Sequence, residues 1–309
     1  NAGATMLALA ALSSGKEAVV SRGELVEIGG SFRMPDVMKM SQAVLREVGT
    51  TNKTRATDYE AAIDEQTAVL MKVHCSNYEI QGFSQSTSVE ELVEIAERHK
   101  HVVVVDDIGS GALYDYSQFG IQDEPLPSQS LQAGADVVLF SGDKLLGGPQ
   151  CGILIGKREA LEKISTHPMM RALRLDKTIL AALSATLDLY LGPDPTQSVP
   201  ILQLISTPLE ELQTRAESLA ESISEISDYT ATAMEDVTYL GGGSVPTQEI
   251  ETWSVSIKHA QRSDDELSLQ LRTSATPVLG RIRQNEFKLD LRSVFPHQDQ
   301  LILEAFQNI

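Results

Sequence analysis

Only two cysteines and one tryptophan occur in 309 residues. Two thiols, Cys75 and Cys151, cannot build a disulfide framework, so a small stapled fold is excluded and a reducing, cytoplasmic setting is expected. No run of about 18 uncharged apolar residues exists, which leaves no membrane span to predict. Basic residues are scarce: 25 Lys and Arg stand against 43 Asp and Glu, for a formal charge of −18. That balance excludes a surface that attracts nucleic acid everywhere, because phosphate binding is dominated by Lys and Arg. A polyanion has to meet a local basic patch or a part outside these residues. Low-complexity tracts, a collagen period and repeats of about 20–50 residues are also missing. The opening Asn1-Ala2-Gly3-Ala4-Thr5-Met6 has no initiator methionine, basic n-region or cleavage site, and reads as the start of an excised fragment with something upstream.

What is present is ordinary in amount and informative in order. A hydrophobic share of 42% with 22% charged residues fits a soluble globular chain, and the length favours two domains. Residues 3–14 read as a helix and Ala18-Val19-Val20 as a short strand. A further helix and strand follow at Pro35–Gln42 and Ala43–Val48, then a helix over Asp58–Ile63 and a buried strand over Thr67–His74. Val89–Lys100 is a clear amphipathic helix, with Ser88 and Glu91 at capping-box spacing, and Val102–Val105 is a central strand. This alternation predicts a mostly parallel sheet covered by helices on both faces, with ligands at the carboxyl ends of the strands. Val137–Phe140 and Gly152–Ile155, separated by a short loop, suit an antiparallel insertion into that sheet. Helices at roughly Ala160–Ser165, Lys177–Leu191 and Pro208–Ile226 follow. The pattern breaks near Gly192-Pro193-Asp194-Pro195, which predicts a large domain over 1–195 and a smaller α+β domain over 196–309.

Three strand ends carry polar residues that packing alone explains poorly. In Val105-Asp106-Asp107-Ile108-Gly109-Ser110-Gly111 a valine strand runs into two carboxylates and a glycine-rich turn. A buried carboxylate is costly unless a cation or strong donors meet it, and a protonated pyridine nitrogen is one such cation. A helix N-cap or a solvated loop is the plainer reading, while a metal site lacks neighbouring ligands at suitable spacing. In Phe140–Gln150 a lysine, Lys144, lies between two apolar strands, with Ser141 placed for a phosphate. Lysine serves as a Schiff-base nucleophile when its surroundings lower its pKa, although a loop lysine is usually just solvated. The glycines that follow it do not make a Walker A loop. The third end, Lys72–Tyr78, offers His74 to stack on an aromatic cofactor and the Asn77 amide to donate to a phenolate. A core histidine is the commoner role, and Cys75 has no evident activating partner.

These segments in this order resemble fold-type-I pyridoxal-5'-phosphate (PLP) enzymes, the aspartate-aminotransferase-like α/β fold. Val20–Gly30, Glu47–Asn52, Ser141–Gln150 and Arg171-Ala172-Leu173-Arg174 extend the likeness to the bacterial selenocysteine synthase family, the L-seryl-tRNA(Sec) selenium transferases. The resemblance runs from Asn1 to about Phe306 and omits the family's small N-terminal tRNA-binding domain. It implies that Lys144 holds PLP as a Schiff base, that Asp107 and not Asp106 pairs with the pyridinium, and that His74 and Asn77 lie against the ring and its phenolate. The phosphate is then expected at the helix start around Gly3 and Ala4, with help from Ser141. Thr50, Thr51, Asp143, Arg171 and Arg174 match positions around the substrate and the selenium donor. Two arginines suit an anion such as selenophosphate, although i,i+3 charges also mark a plain solvated helix face. The implied reaction replaces the β-hydroxyl of seryl-tRNA(Sec) by selenium through an aminoacrylyl intermediate, with Lys144 as the base. Related β-eliminating lyases acting on a small amino acid or amino sugar, and a PLP-binding oligomeric scaffold, are the alternatives. A homo-oligomer, either a dimer or a ring of dimers, goes with the resemblance.

Overall fold

The computed structural model describes residues 1–241 and 244–309. Chain contacts divide it into two compact units: residues 1–193 with 240–247, and residues 194–239 with 248–309. The sequence-based boundary at 195/196 did not foresee the short segment 240–247, which joins the first unit through a backbone bond from Val245 N–H to the Ser76 carbonyl, 3.0 Å.

The first unit is built on six strands: β1 (Glu17–Ser21), β4 (Val44–Val48), β5 (Thr67–Val73), β6 (Val103–Gly109), β7 (Val137–Ser141) and β8 (Gly152–Gly156). Their order is β4-β1-β5-β6-β7-β8. All pairs are parallel except β7 with β8, the antiparallel insertion expected from the short loop between them. A small hairpin, β2 (Glu27–Ile28) with β3 (Phe32–Arg33), stands apart. It escaped the sequence reading because two-residue strands carry no period.

Strands β5, β6 and β7 read as continuous apolar runs because helices cover both faces. On one face, Val20, Met71, Val105, Val137 and Leu139 pack with α1 (Ala2–Ser13), α2 (Met34–Met40) and α6 (Arg158–Thr166). On the other, Val19, Leu70, Val104, Ile108, Val138 and Phe140 pack with α3 (Ala56–Glu60), α4 (Val89–Arg98) and α8 (Lys177–Tyr190). Helix α1 is apolar nearly all round, as a helix pressed into a core must be. Helix α4 is amphipathic, and the capping box of Ser88 and Glu91 is present. Helices α5 (Pro127–Ala133) and α7 (Pro168–Leu173) complete the unit.

The second unit has an antiparallel sheet, ordered β11-β12-β10-β9, from β9 (Tyr229–Thr238), β10 (Ile250–His259), β11 (Arg281–Arg283) and β12 (Glu286–Asp290). Its helices are α9 (Pro195–Ser198), α10 (Pro200–Ser206), α11 (Leu209–Ser224), α12 (Asp264–Thr273) and α13 (Asp299–Gln307). The core joins Leu212, Leu219, Val255, Leu267, Phe287 and Phe306. Arg215 grips Asp299 through two 2.8 Å bonds, the fork geometry that suits a carboxylate. No helix among the described residues is long and apolar enough to cross a membrane.

Candidate active site

Side chains alternate across a strand, so adjacent residues at the end of β6 face opposite sides of the sheet. Asp106 shares the face of Val104 and Ile108 and accepts a 2.6 Å bond from Ser130 Oγ on α5. Asp107 shares the face of Val105. There it accepts from Asn1 Nδ2 at 2.6 Å and Thr5 Oγ1 at 2.8 Å, both at the start of α1. Both carboxylates are buried. Burial pushes Asp106 up to about 6, against the pull of the Ser130 hydroxyl. Burial also raises Asp107, opposed by the bonds from Thr5 and Asn1 and by the charge of Lys144.

A cavity of about 240 Å³ opens over Asp107, with Asn1, Ala2, Thr5, His74, Ser141, Asp143 and Lys144 also on its wall. Ser141, at the end of β7, faces it for the same alternation reason. A methyl group placed on Gly109 would lie 3.9 Å from Lys144 Nζ and 4.0 Å from Asp107 Oδ1, which puts amine and carboxylate both beside that glycine. Gly109 and Gly111 both have positive φ, and a side chain at Gly111 would strike the Ser141 carbonyl at 2.5 Å.

The lysine loop is tied down on every side. Gly142 N–H donates to the Cys151 carbonyl at 2.9 Å and Leu145 N–H to the Ser110 carbonyl at 3.0 Å. Tyr116 Oη donates to the Leu145 carbonyl at 3.0 Å, and Tyr190 Oη to the Leu146 carbonyl at 2.9 Å. Burial raises both phenols, Tyr190 to about 12, so they remain donors at neutral pH.

Other expected residues lie elsewhere. Gly3 and Ala4 sit in the first turn of α1 but do not line the cavity, whereas Ala2 does. Asn77 is not on its wall either: its Nδ2 donates to the Glu27 carbonyl at 2.9 Å, held there by the unforeseen hairpin. Thr51 lines an adjoining cavity of about 270 Å³ with Lys53, Lys72, His74 and Tyr78. Thr50 lies in the turn before it, its N–H bonded to the Lys53 carbonyl at 2.8 Å. In that second cavity Lys72 Nζ meets the buried Glu24 at 2.5 Å, and burial raises the Cys75 thiol, away from nucleophilic use. Arg171 lies in the last turn of α7 and Arg174 caps it. Both are exposed, neither lines the lysine cavity, and neither guanidinium has an ion-pair partner among the described residues.

The residues around Asp107 fit PLP. A buried carboxylate suits a protonated ring nitrogen. The first amides of α1 have no intrahelical acceptor and suit a phosphate, and the Lys144 amine shares the same space. Among the described residues no cluster of three or more His, Cys, Asp or Glu could hold a metal ion.

The sequence matches the L-seryl-tRNA selenium transferase family over residues 1–295. It is 47% identical over 309 residues to an L-seryl-tRNA(Sec) selenium transferase of Hyphomonas neptunium, covering 100% of this chain and 66% of that protein. It is 48% identical over 312 residues to one from Geobacter metallireducens, covering 100% and 67%. The chain therefore spans about two thirds of the length of these relatives. Among solved structures, D-glucosaminate-6-phosphate ammonia-lyase superposes with a TM-score of 0.64 at 21% identity, over 99% of this chain and 78% of that one. The chain shares the fold of that structure, an α/β arrangement with a mostly parallel sheet in one unit and a smaller antiparallel sheet in the other.

Proposed function

We propose that this chain, which belongs to the L-seryl-tRNA selenium transferase family, is the catalytic core of a PLP-dependent enzyme that converts L-seryl-tRNA(Sec) to L-selenocysteinyl-tRNA(Sec) with selenophosphate. The observation that carries this reading is the convergence of Lys144, Asp107, Ser141 and the start of α1 on one cavity. When bound, PLP supplies an electron sink for the α-carbon of the seryl group. Lys144 would hold the cofactor through its amine, and its Nζ would be the base that takes the α-proton. Asp107 keeps a proton on the ring nitrogen, anchored by Asn1 and Thr5. The phosphate would be received by the free amides at the start of α1, where Ala2 is on the cavity wall and Gly3 and Ala4 follow it in the same turn, with the Ser141 hydroxyl. His74 and Asp143 line the same cavity, where the His74 imidazole would face the ring. Asn77 reaches the phenolate only if its side chain leaves the Glu27 carbonyl.

Arg171 and Arg174 are exposed and have no ion-pair partner among the described residues, which suits them to bind the anionic donor or the acceptor end of tRNA; Thr50 and Thr51 would supply further substrate contacts. With a net charge of −18, such a basic pair is where a polyanion is received. The enzyme is a cytoplasmic homo-oligomer in this reading, a dimer or a ring of dimers. A tRNA-independent lyase would use the same Lys144 and Asp107, but the family match extends through Arg171 and Arg174 and favours the transferase. Borohydride treatment of the PLP-loaded protein should leave the pyridoxyl label on Lys144. A label on another lysine would overturn the assignment.

A further inference from the structure

Glu124 has no role in the chemistry described above, yet its side chain is 2% exposed. One oxygen, Oε1, accepts from Ser110 Oγ, in the turn that follows Asp107. The other, Oε2, is buried without a hydrogen-bond partner. A carboxylate oxygen in that state has given up its water without a replacement, an uncompensated cost unless something meets it. The group facing it is the imidazole of His74, with Nε2 at 3.8 Å, just outside bonding range. His74 also lines the lysine cavity, so the same side chain meets Glu124 through Nε2 and contributes to the wall of the cofactor space.

We propose that Glu124 is a positioning residue: its Oε2 accepts a hydrogen bond from His74 Nε2–H and thereby fixes the plane of the imidazole that PLP stacks against. A carboxylate behind a functional histidine selects which ring nitrogen carries the proton and holds the ring orientation. Closing 3.8 Å to bonding distance takes a movement of about 1 Å, and such contacts commonly tighten only when the ligand is present. The inference rests on the PLP reading of the cavity.

The test uses the whole protein in wild-type, Glu124→Gln, His74→Phe and doubly substituted forms, measuring PLP affinity by visible absorbance and ring orientation by visible circular dichroism. Glu124→Gln keeps an acceptor for Ser110 and should preserve the fold where Glu124→Ala fails. It should weaken PLP binding roughly three- to tenfold and alter the dichroism of the bound cofactor, a coupling of ordinary size for neighbouring groups. In the His74→Phe background, where the stacking face remains but Nε2 is gone, adding Glu124→Gln should change neither readout. Equal effects in both backgrounds would mean that Glu124 acts through Ser110 alone, and unchanged readouts in Glu124→Gln would likewise overturn the proposal. Wild-type protein that binds no PLP would instead overturn the cofactor reading, and this inference with it.

Discussion

Asp106 and Asp107 are consecutive, equally buried and chemically identical, yet the two faces of the sheet treat them differently. On the face of α5, Asp106 accepts from one side-chain hydroxyl among the described residues, and burial lifts its pKa to about 6. On the face of α1, Asp107 has two donors from one helix start and a lysine across a cavity. The difference is not in the residue but in what stands opposite it. A buried acid with one neutral donor is a structural cost, whereas one with converging donors and an open cavity awaits a cation.

The sharpest way to break this comparison is to exchange each acid for its amide. Asp107→Asn should keep the fold and slow α-proton removal on the order of 10²–10³-fold, the scale for losing one preorganised electrostatic partner. Hydrogen–deuterium exchange at the substrate α-carbon reports it directly. Were Asp106→Asn to show the defect and Asp107→Asn to lack it, the assignment of faces would be wrong.

Asp106→Asn should instead show itself in stability. The folded protein holds the Asp106 proton up to about pH 6, whereas the ordinary value for an aspartate is 3.8. Between those values the folded state binds more protons than the unfolded one, so stability from this group is full below about pH 4 and falls as pH rises through 6. The amide cannot ionise. Relative to wild type, Asp106→Asn should gain about 1–3 kcal/mol between pH 4 and pH 7. Urea unfolding at the two pH values measures it, and a constant difference between the proteins would refute the shift.

The smallest expected effect extends the comparison from the buried faces to the exposed surface. Arg171→Ala or Arg174→Ala should leave PLP occupancy unchanged and raise the KM for selenophosphate about 3–10-fold, the loss of one solvent-exposed charged contact. Loss of PLP along with activity would move these residues to the cofactor site, and unchanged kinetics would return them to solvent.

Much of this was legible in the sequence where the signal is local. The apolar runs of β5, β6 and β7, the capping box of α4 and the short loop between β7 and β8 all led to the parallel sheet with its antiparallel addition. Lys144 stood out for its place between two strands, while the choice of Asp107 came from family resemblance; strand alternation supports that choice once the faces are known. What stayed hidden depends on distant partners. The tether of Asn77 to Glu27 needs a hairpin too short to show periodicity. Glu124 lies between polar and proline residues in an irregular stretch, and only the fold brings it beneath Ser110 and His74. The return of 240–247 to the first unit is likewise a contact that no local pattern announces.

The phenols of Tyr116 and Tyr190, each donating to a carbonyl just after Lys144, bear on how such a lysine works over many turnovers. In the proposed cycle the amine would hold the cofactor, be freed to carry a proton, and hold the cofactor again. With its peptide backbone anchored by two tyrosines from different parts of the chain, the lysine makes that excursion by rotating its own methylenes, like an arm on a fixed shoulder. The anchorage confines the amine to a small volume at every stage, so the return journey is a short intramolecular search.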